Sequence, residues 1–301
     1  MLRALMILVM GIVITGCAST NTITGVLSAW QDGIPSIFIS GNNFLNETTR
    51  YSNVDIRTYG QQEMDIIEVV SPITKYAVMI EKAEDIVYEL DKLIYTAKNG
   101  RKGPVWLDIP LDIQSSVIDT SSSKLFVPKK QAFKLKEKDL KYFTNSLSES
   151  KRPVVLIGHG IRSANAIDEL KTFINSYSIP LVYTPSAPDT IGSLNNDLSI
   201  GSVGAMGCSR SGNFTLQNSD LLIVLGSRLS TMTSGPDYHL FARDARVIVI
   251  DIDENEHKKN TVKVDYLINL DLKLFLRGFL KIKLNLNFKD WSDKCLHWKR
   301  L

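Results

Sequence analysis

With 301 residues, 44% of them hydrophobic and 22% charged, the chain has the make-up of an ordinary soluble globular protein and room for about two domains of roughly 100–200 residues each. Its 35 basic and 32 acidic residues leave a net charge of +3, and no basic block is dense enough to follow a phosphate backbone, which sets nucleic acid aside as a partner. Cys17, Cys208 and Cys295 are scattered and odd in number, so no disulfide framework is expected, which fits a reducing cytosol. The histidines (His159, His239, His257 and His297) show no metal-ligand spacing, and Cys295 with His297 lacks a second pair of ligands.

Taken in chain order, the first element is ambiguous. Arg3, an apolar run over 4–14 and the box Ile14-Thr15-Gly16-Cys17 have the form of a lipoprotein signal peptide. The run is too short to span a membrane. The other reading is a buried parallel strand over 11–15 that enters a turn. Residues 21–30 then predict a helix with Ile23, Val26, Leu27 and Trp30 on one face. A strand follows over 36–40, and a helix over 84–97 stops at Asn99-Gly100. A further strand covers 105–109. Residues 116–134 are rich in Ser and Lys without helical period and read as a linker. Beyond them the alternation resumes. Strands are expected over 153–157, 179–183, 221–225, 247–251 and 265–269, with helices over 164–177 (Ser163 as N-cap) and around 272–280. Residues 285–301 have too little apolar content for a domain. Near-continuous apolar strands alternating with helices predict an α/β fold with two doubly wound, mostly parallel sheets, the second with six strands.

Four blocks carry the chemistry. The first is Gly16-Cys17-Ala18-Ser19-Thr20-Asn21, running on to Gly25, a small-residue turn opening a helix, where backbone N–H groups can face a ligand closely. The second runs from Arg57 through Gly60, Gln62 and Glu63 to Asp65. The third is Pro72-Ile73-Thr74-Lys75, and the fourth runs from Gly100-Arg101 to Pro110 and Asp112. Any one of these could be a plain turn or a surface polar cluster. Together, in this order and at these spacings, they resemble the pyrimidine-binding domain of the acetolactate synthase-like, thiamine-diphosphate-dependent enzymes. That resemblance runs through the apparent signal box, which favours the strand reading and a cytoplasmic protein over a lipoprotein anchored through Cys17.

The resemblance implies that Gly16, Ser19 and Asn21 lie near the cofactor at a subunit interface, that Gln62 and Glu63 lie beside the active site, and that Lys75 lies on the substrate channel. In the second half, Gly158 and Gly160 after a strand, Gly204-Ala205-Met206-Gly207, Gly226-Ser227-Arg228 and Asp251 sit where flavin-binding members of the family hold FAD. Ala205, Met206 and residues 230–232 depart from the family's pattern there. These departures predict no bound FAD, and the missing arginine of the third segment puts acetolactate synthesis itself in question.

The expected organisation is a truncated pyrimidine-binding domain over 1–115, a linker over 116–134, a central Rossmann-like domain over 135–285, and a stub over 286–301 leading to a missing diphosphate-binding domain. The family's catalytic glutamate would lie upstream of Met1, and Glu47, Glu63 and Glu68 come too late to replace it. Nothing resembles the segment that holds Mg²⁺ and the diphosphate. The chain is therefore expected to be inactive by itself, with weak affinity for thiamine diphosphate and Mg²⁺. Its expected partners are a second copy or a full-length subunit, with no membrane. A nucleotide-binding or regulatory module is the alternative reading.

Overall fold

The computed structural model describes residues 9–13, 17–121, 123–128, 133–194 and 197–301. Two units, Met1–Lys130 and Gln131–Leu301, each hold one parallel sheet covered by helices, the α/β architecture that the alternating pattern predicts.

In the first unit the strands are β1 (Val9–Val13), β2 (Ser36–Asn42), β3 (Ala77–Met79) and β4 (Pro104–Pro110), in the order β1-β2-β4-β3. The helices are α1 (Ile23–Asp32), α2 (Ile66–Val70), α3 (Ile86–Lys98) and the short α4 (Leu111–Gln114). β1 lies parallel to β2, with Val9 opposite Ser36 and Val13 opposite Ser40, so part of the apolar run after Arg3 is a sheet strand. Gly16 lies outside the described residues. A short 3₁₀ helix, Cys17–Thr22, leads into α1. That helix buries Val26 and Ala29, while Leu27 and Trp30 remain 39% and 38% exposed. The expected inward face was thus one residue off, because the sheet-facing stripe passes through 26 and 29. β4 is central and its Val105, Trp106 and Leu107 are fully buried. The linker is partly fastened: Phe126 packs against Tyr88 and Tyr95 of α3, at ring separations of 5.6 and 5.5 Å.

The second unit starts with α5 (Glu137–Glu149), which the pattern did not predict, and continues β5 (Pro153–Ile157), α6 (Gly160–Ser163), α7 (Ile167–Tyr177), β6 (Leu181–Tyr183) and α8 (Pro188–Leu194). Then come β7 (Ser199–Ser202), α9 (Arg210–Gln217), β8 (Leu221–Leu225), α10 (Thr231–Ser234), β9 (Arg246–Asp251), β10 (Tyr266–Asn269), α11 (Leu272–Phe279) and α12 (Lys289–Arg300). The strand order is β10-β9-β8-β5-β6-β7, and every neighbouring pair is parallel. Alternate strand residues face opposite sides. Val155, Ile157, Ile223 and Ile248 meet Phe143, Phe173, Phe275 and Phe279 on one face. Val154, Leu156, Leu222 and Val249 meet Leu216, Trp291 and Cys295 on the other. Two covered faces explain why these strands read as unbroken apolar runs.

Two expectations are corrected here. The helix expected over 164–177 starts three residues later, at Ile167: the short α6 ends at Ser163, and Asn165 takes a left-handed φ of 58° between the two helices. Ser163 lies inside the first, and Ala166 rather than Ser163 precedes α7. The tail over 286–301 is part of the second unit rather than a separate stub: Trp291 and Cys295 are buried, and Trp291 Nε1 donates to Pro153 O at 3.1 Å. Only Trp291, Ser292 and Cys295 of α12 turn fully inward, too few to announce a buried helix in a polar stretch. No described helix is long and apolar enough to cross a membrane.

Candidate functional site

Ligands of parallel α/β sheets bind beyond the carboxyl ends of the strands, so those ends are the place to look in each unit. In the first unit, β2 and β4 end in polar residues. Asp108 is fully buried; its Oδ1 accepts from Ser40 Oγ at 2.5 Å and its Oδ2 from Asn42 Nδ2 at 2.9 Å. Trp106 Nε1 donates in turn to Ser40 Oγ at 2.8 Å. Burial pushes the Asp108 carboxyl up to about 6, against the opposing effect of the two hydrogen bonds. Asn42 Nδ2 also donates to Met64 O at 3.2 Å, which ties the sheet to the segment that carries Gln62 and Glu63.

Glu63 is 6% exposed and organises its own loop. Its Oε1 accepts from Thr49 N and Thr49 Oγ1 at 3.1 and 3.0 Å, and its Oε2 from Tyr59 N at 3.2 Å. Gln62 is exposed, with a left-handed φ of 60°. Its carbonyl accepts from Cys17 N at 3.0 Å, so two blocks far apart in sequence meet through the backbone. In the turn itself Ser19 is buried and Asn21 exposed, while Thr20 Oγ1 and Thr22 Oγ1 donate to Cys17 O and Ser19 O, each at 2.7 Å.

Lys75 does not join this group. Its N donates to Pro104 O at 2.8 Å, at the entrance of β4 and about 13 Å of strand from Asp108. Its Nζ donates to Thr96 O and, at 2.6 Å, to Asn99 O, where α3 leaves carbonyls unpaired. Burial lowers this amine to about 8. Gly103 leaves room for the lysine stem, since a Cβ there would lie 3.2 Å from Lys75 Cγ and Cδ.

In the second unit, the strand order reverses between β5 and β8, and the predicted glycines gather at that point. Gly158 N donates to Leu225 O at 3.1 Å, Gly160 N to Gly226 O at 3.0 Å and Gly226 N to Ile250 O at 3.1 Å. A Cβ on Gly158 would lie 2.3 Å from Gly226 O. These glycines let two loops touch, and their amides face carbonyls of the protein. Gly204 is held at both its N and its O by the Asn213 side chain at 3.2 Å, and Ala205 N donates to Met232 O at 2.9 Å. Arg228 is exposed, and its carbonyl accepts from Lys259 Nζ. Asp251 Oδ1 accepts from Asp253 N at 2.9 Å, and its Oδ2 lies 3.4 Å from Nε2 of the buried His257 side chain.

The donor sets were tested against the cofactors that the resemblance implies. For FAD, the amides of Gly158, Gly160, Gly204 and Gly226 are already taken by acceptors within the protein, so they are not free to cradle the diphosphate of the dinucleotide. For Mg²⁺ and the diphosphate, the described residues hold no group of three or more His, Cys, Asp or Glu that could bind a metal. For the pyrimidine ring, the exposed Asn21 and Gln62 at the turn are the available polar side chains. Asp108 lies inside the fourth block of the sequence, where it has no stated role, and Ser40 and Asn42 belong to none of the four blocks. The signal was present: a carboxylate inside an apolar strand is rare without a purpose.

Comparison with known proteins bears on the whole chain. Residues 140–279 match the family model of the thiamine pyrophosphate enzyme central domain. An acetolactate synthase large subunit of Lactococcus lactis subsp. lactis is 32% identical over 284 residues, which cover 93% of this chain and 47% of that protein. The acetolactate synthase isozyme 1 large subunit of Escherichia coli is 31% identical over 80% of this chain and 41% of its own length. The chloroplastic acetolactate synthase of Arabidopsis thaliana is 30% identical over 93% of this chain and 41% of its own length. The chain thus spans about half or less of the relatives that it matches. The chain is thus similar to acetolactate synthase large subunits over most of its length, and its residues 140–279 match the central domain of the thiamine pyrophosphate enzymes.

Proposed function

We propose that the chain contributes the pyrimidine-facing side and the central domain of a thiamine-diphosphate-dependent transferase, one that decarboxylates a 2-oxo acid and hands the remaining two-carbon unit to an acceptor. The observation that carries this reading is the bond from Cys17 N to Gln62 O at 3.0 Å, which joins the two blocks that resemble the family's cofactor-side segments. Thiamine diphosphate, when bound, supplies the electron sink for the decarboxylation. The chain's own part is to present Asn21 and Gln62 beside the ring and to hold Glu63 and its loop still.

These residues do not complete the reaction by themselves on this reading. The Mg²⁺ and diphosphate end is supplied by residues outside the 301, in the same enzyme or in a second subunit, and the central domain holds no FAD. The paired β1 strand and the engaged Cys17 amide favour a cytoplasmic protein over a lipoprotein anchored at Cys17.

The test uses purified chain with pyruvate, thiamine diphosphate and Mg²⁺. No release of CO₂ is expected, and cofactor affinity weaker than micromolar, which corresponds to about −8 kcal/mol. Adding a relative's full-length large subunit should draw the chain into a mixed oligomer. Turnover by the chain alone, a yellow flavin-bearing preparation, or radiolabelled fatty acid on Cys17 would each overturn a part of the proposal.

A further inference from the structure

We propose that Asp108 is a positioning residue: through the Asn42 amide it fixes residues 62–64 against the turn at Cys17. The assignment rests on the reading of those residues as the cofactor-facing segment, and it names the group inside the sheet that sets their position.

Asp108 stands opposite Ser40 in the β2–β4 register and is fully buried, with two neutral donors and no cation on its oxygens. Asn42 has no freedom to turn. Its Oδ1 accepts from Asn43 N at 2.9 Å, and its Nδ2 donates both to Asp108 Oδ2 at 2.9 Å and to Met64 O at 3.2 Å. Rotating the amide to suit a changed Asp108 would break the bond to Met64. Met64 is two residues from Gln62, whose left-handed backbone delivers its carbonyl to Cys17 N. A chain of contacts therefore runs from Trp106 through Ser40, Asp108 and Asn42 to residues 62–64 and the turn.

Protonation is a natural probe of this chain. Taking up a proton turns one Asp108 oxygen from acceptor into donor: on Oδ1 it reverses the bond to Ser40 Oγ, whose hydroxyl can accept, and on Oδ2 it opposes Asn42 Nδ2, which can only donate. Burial raises the carboxyl to about 6, with Asp65 adding to the rise and Arg50 opposing it. Those two groups face Asp108 and pair with each other at 2.9 Å. The histidines are all at position 159 or later, in the second unit.

The experiment is a titration of the ¹⁵N-labelled chain from pH 4.5 to 7.5, without cofactor. The indole N–H of Trp106 and the amide of Cys17 should shift together with one midpoint near 6. Asp108→Asn should flatten both curves. Asn42→Ala should leave the Trp106 curve and abolish that of Cys17, and it carries the test if Asp108→Asn does not fold. A Cys17 amide that does not titrate, or that titrates unchanged in either variant, overturns the proposal. Since no cofactor is present, failure here leaves the thiamine reading standing, and failure of cofactor binding leaves this one standing.

Discussion

The two sheets finish in different materials. At the carboxyl end of the first, Ser40, Asn42 and Asp108 form a buried polar group linked through Met64 to an exposed segment. At the carboxyl end of the second, Gly158, Gly160 and Gly226 bring two loops into backbone contact. The first end therefore offers side chains that can be moved or titrated. The second is closed by main-chain atoms, and its charged residues, Arg228 and Asp251, sit around the closure. The same doubly wound architecture thus produces a responsive end and a sealed one, according to whether the strand tips carry amides and carboxylates or glycines. The cores differ in step. The second unit has large clusters on both faces, built round Phe143, Phe173, Phe275 and Phe279 and round Trp291, whereas the clusters round Trp106 and Leu107 in the first are smaller.

The sharpest probe of the second unit's unity is Trp291→Ala. It removes a buried indole and its bond to Pro153 O, and should cost about 3–5 kcal/mol in denaturant unfolding of that unit. A loss under 1 kcal/mol would mean that α12 is an appendage. Next is Gly158→Ala, whose Cβ would meet Gly226 O at 2.3 Å; a loss of about 3 kcal/mol is expected, with both loops displaced. A silent substitution there would show that the closure is loose, and the contrast with the first unit would fail.

Asp108 is expected to have a smaller effect, with a definite sign. Its folded-state value of about 6 lies above the ordinary aspartate value of 3.8, so its contribution is fully present below about 4 and is lost as pH rises through about 6. The first unit should weaken by about 2 kcal/mol between pH 4 and 7 from this group, and Asp108→Asn should remove that slope. Urea melts followed at each pH would measure it. Lys75→Met takes the donor from Thr96 O and Asn99 O and should cost about 1 kcal/mol by thermal melting. The smallest effect is opposite in sign. Gly25 lies exposed in α1, a Cβ there would meet nothing within 4 Å, and Gly25→Ala should stabilise the first unit by about 0.5–1 kcal/mol.

Strands 153–157 and 221–225 were legible to the residue because both faces are covered and every position is apolar. β7 was not, since Ser199–Ser202 contains two serines and a glycine and owes its place to the pairing with β6. α12 was hidden for a related reason, its buried stripe being only three residues wide. In the candidate site, the blocks around Ser19 and Gln62 stood out as motifs. Their meeting did not, because the bond from Cys17 N to Gln62 O uses backbone atoms that any residues would supply. The resemblance implies that Lys75 lies on the substrate channel; in the chain's own packing it stands at the entrance of β4 and clasps the end of α3.

The basic end of α12 has a consequence for association. β7 lies at the margin of its sheet, where unpaired carbonyls and amides could recruit a strand from another molecule. Lys299 Nζ donates to Ser199 O at 2.7 Å, and α12 packs beside β7 and α9, so that margin carries a cation and a helix instead of open hydrogen-bonding groups. A nick before residue 289 would strip both at once. The remaining unit would lose the buried Trp291 and Cys295 along with the cover of β7, so a weakened core and a sticky rim would come together, and its colloidal behaviour would then turn on concentration, as that of a self-templating edge does.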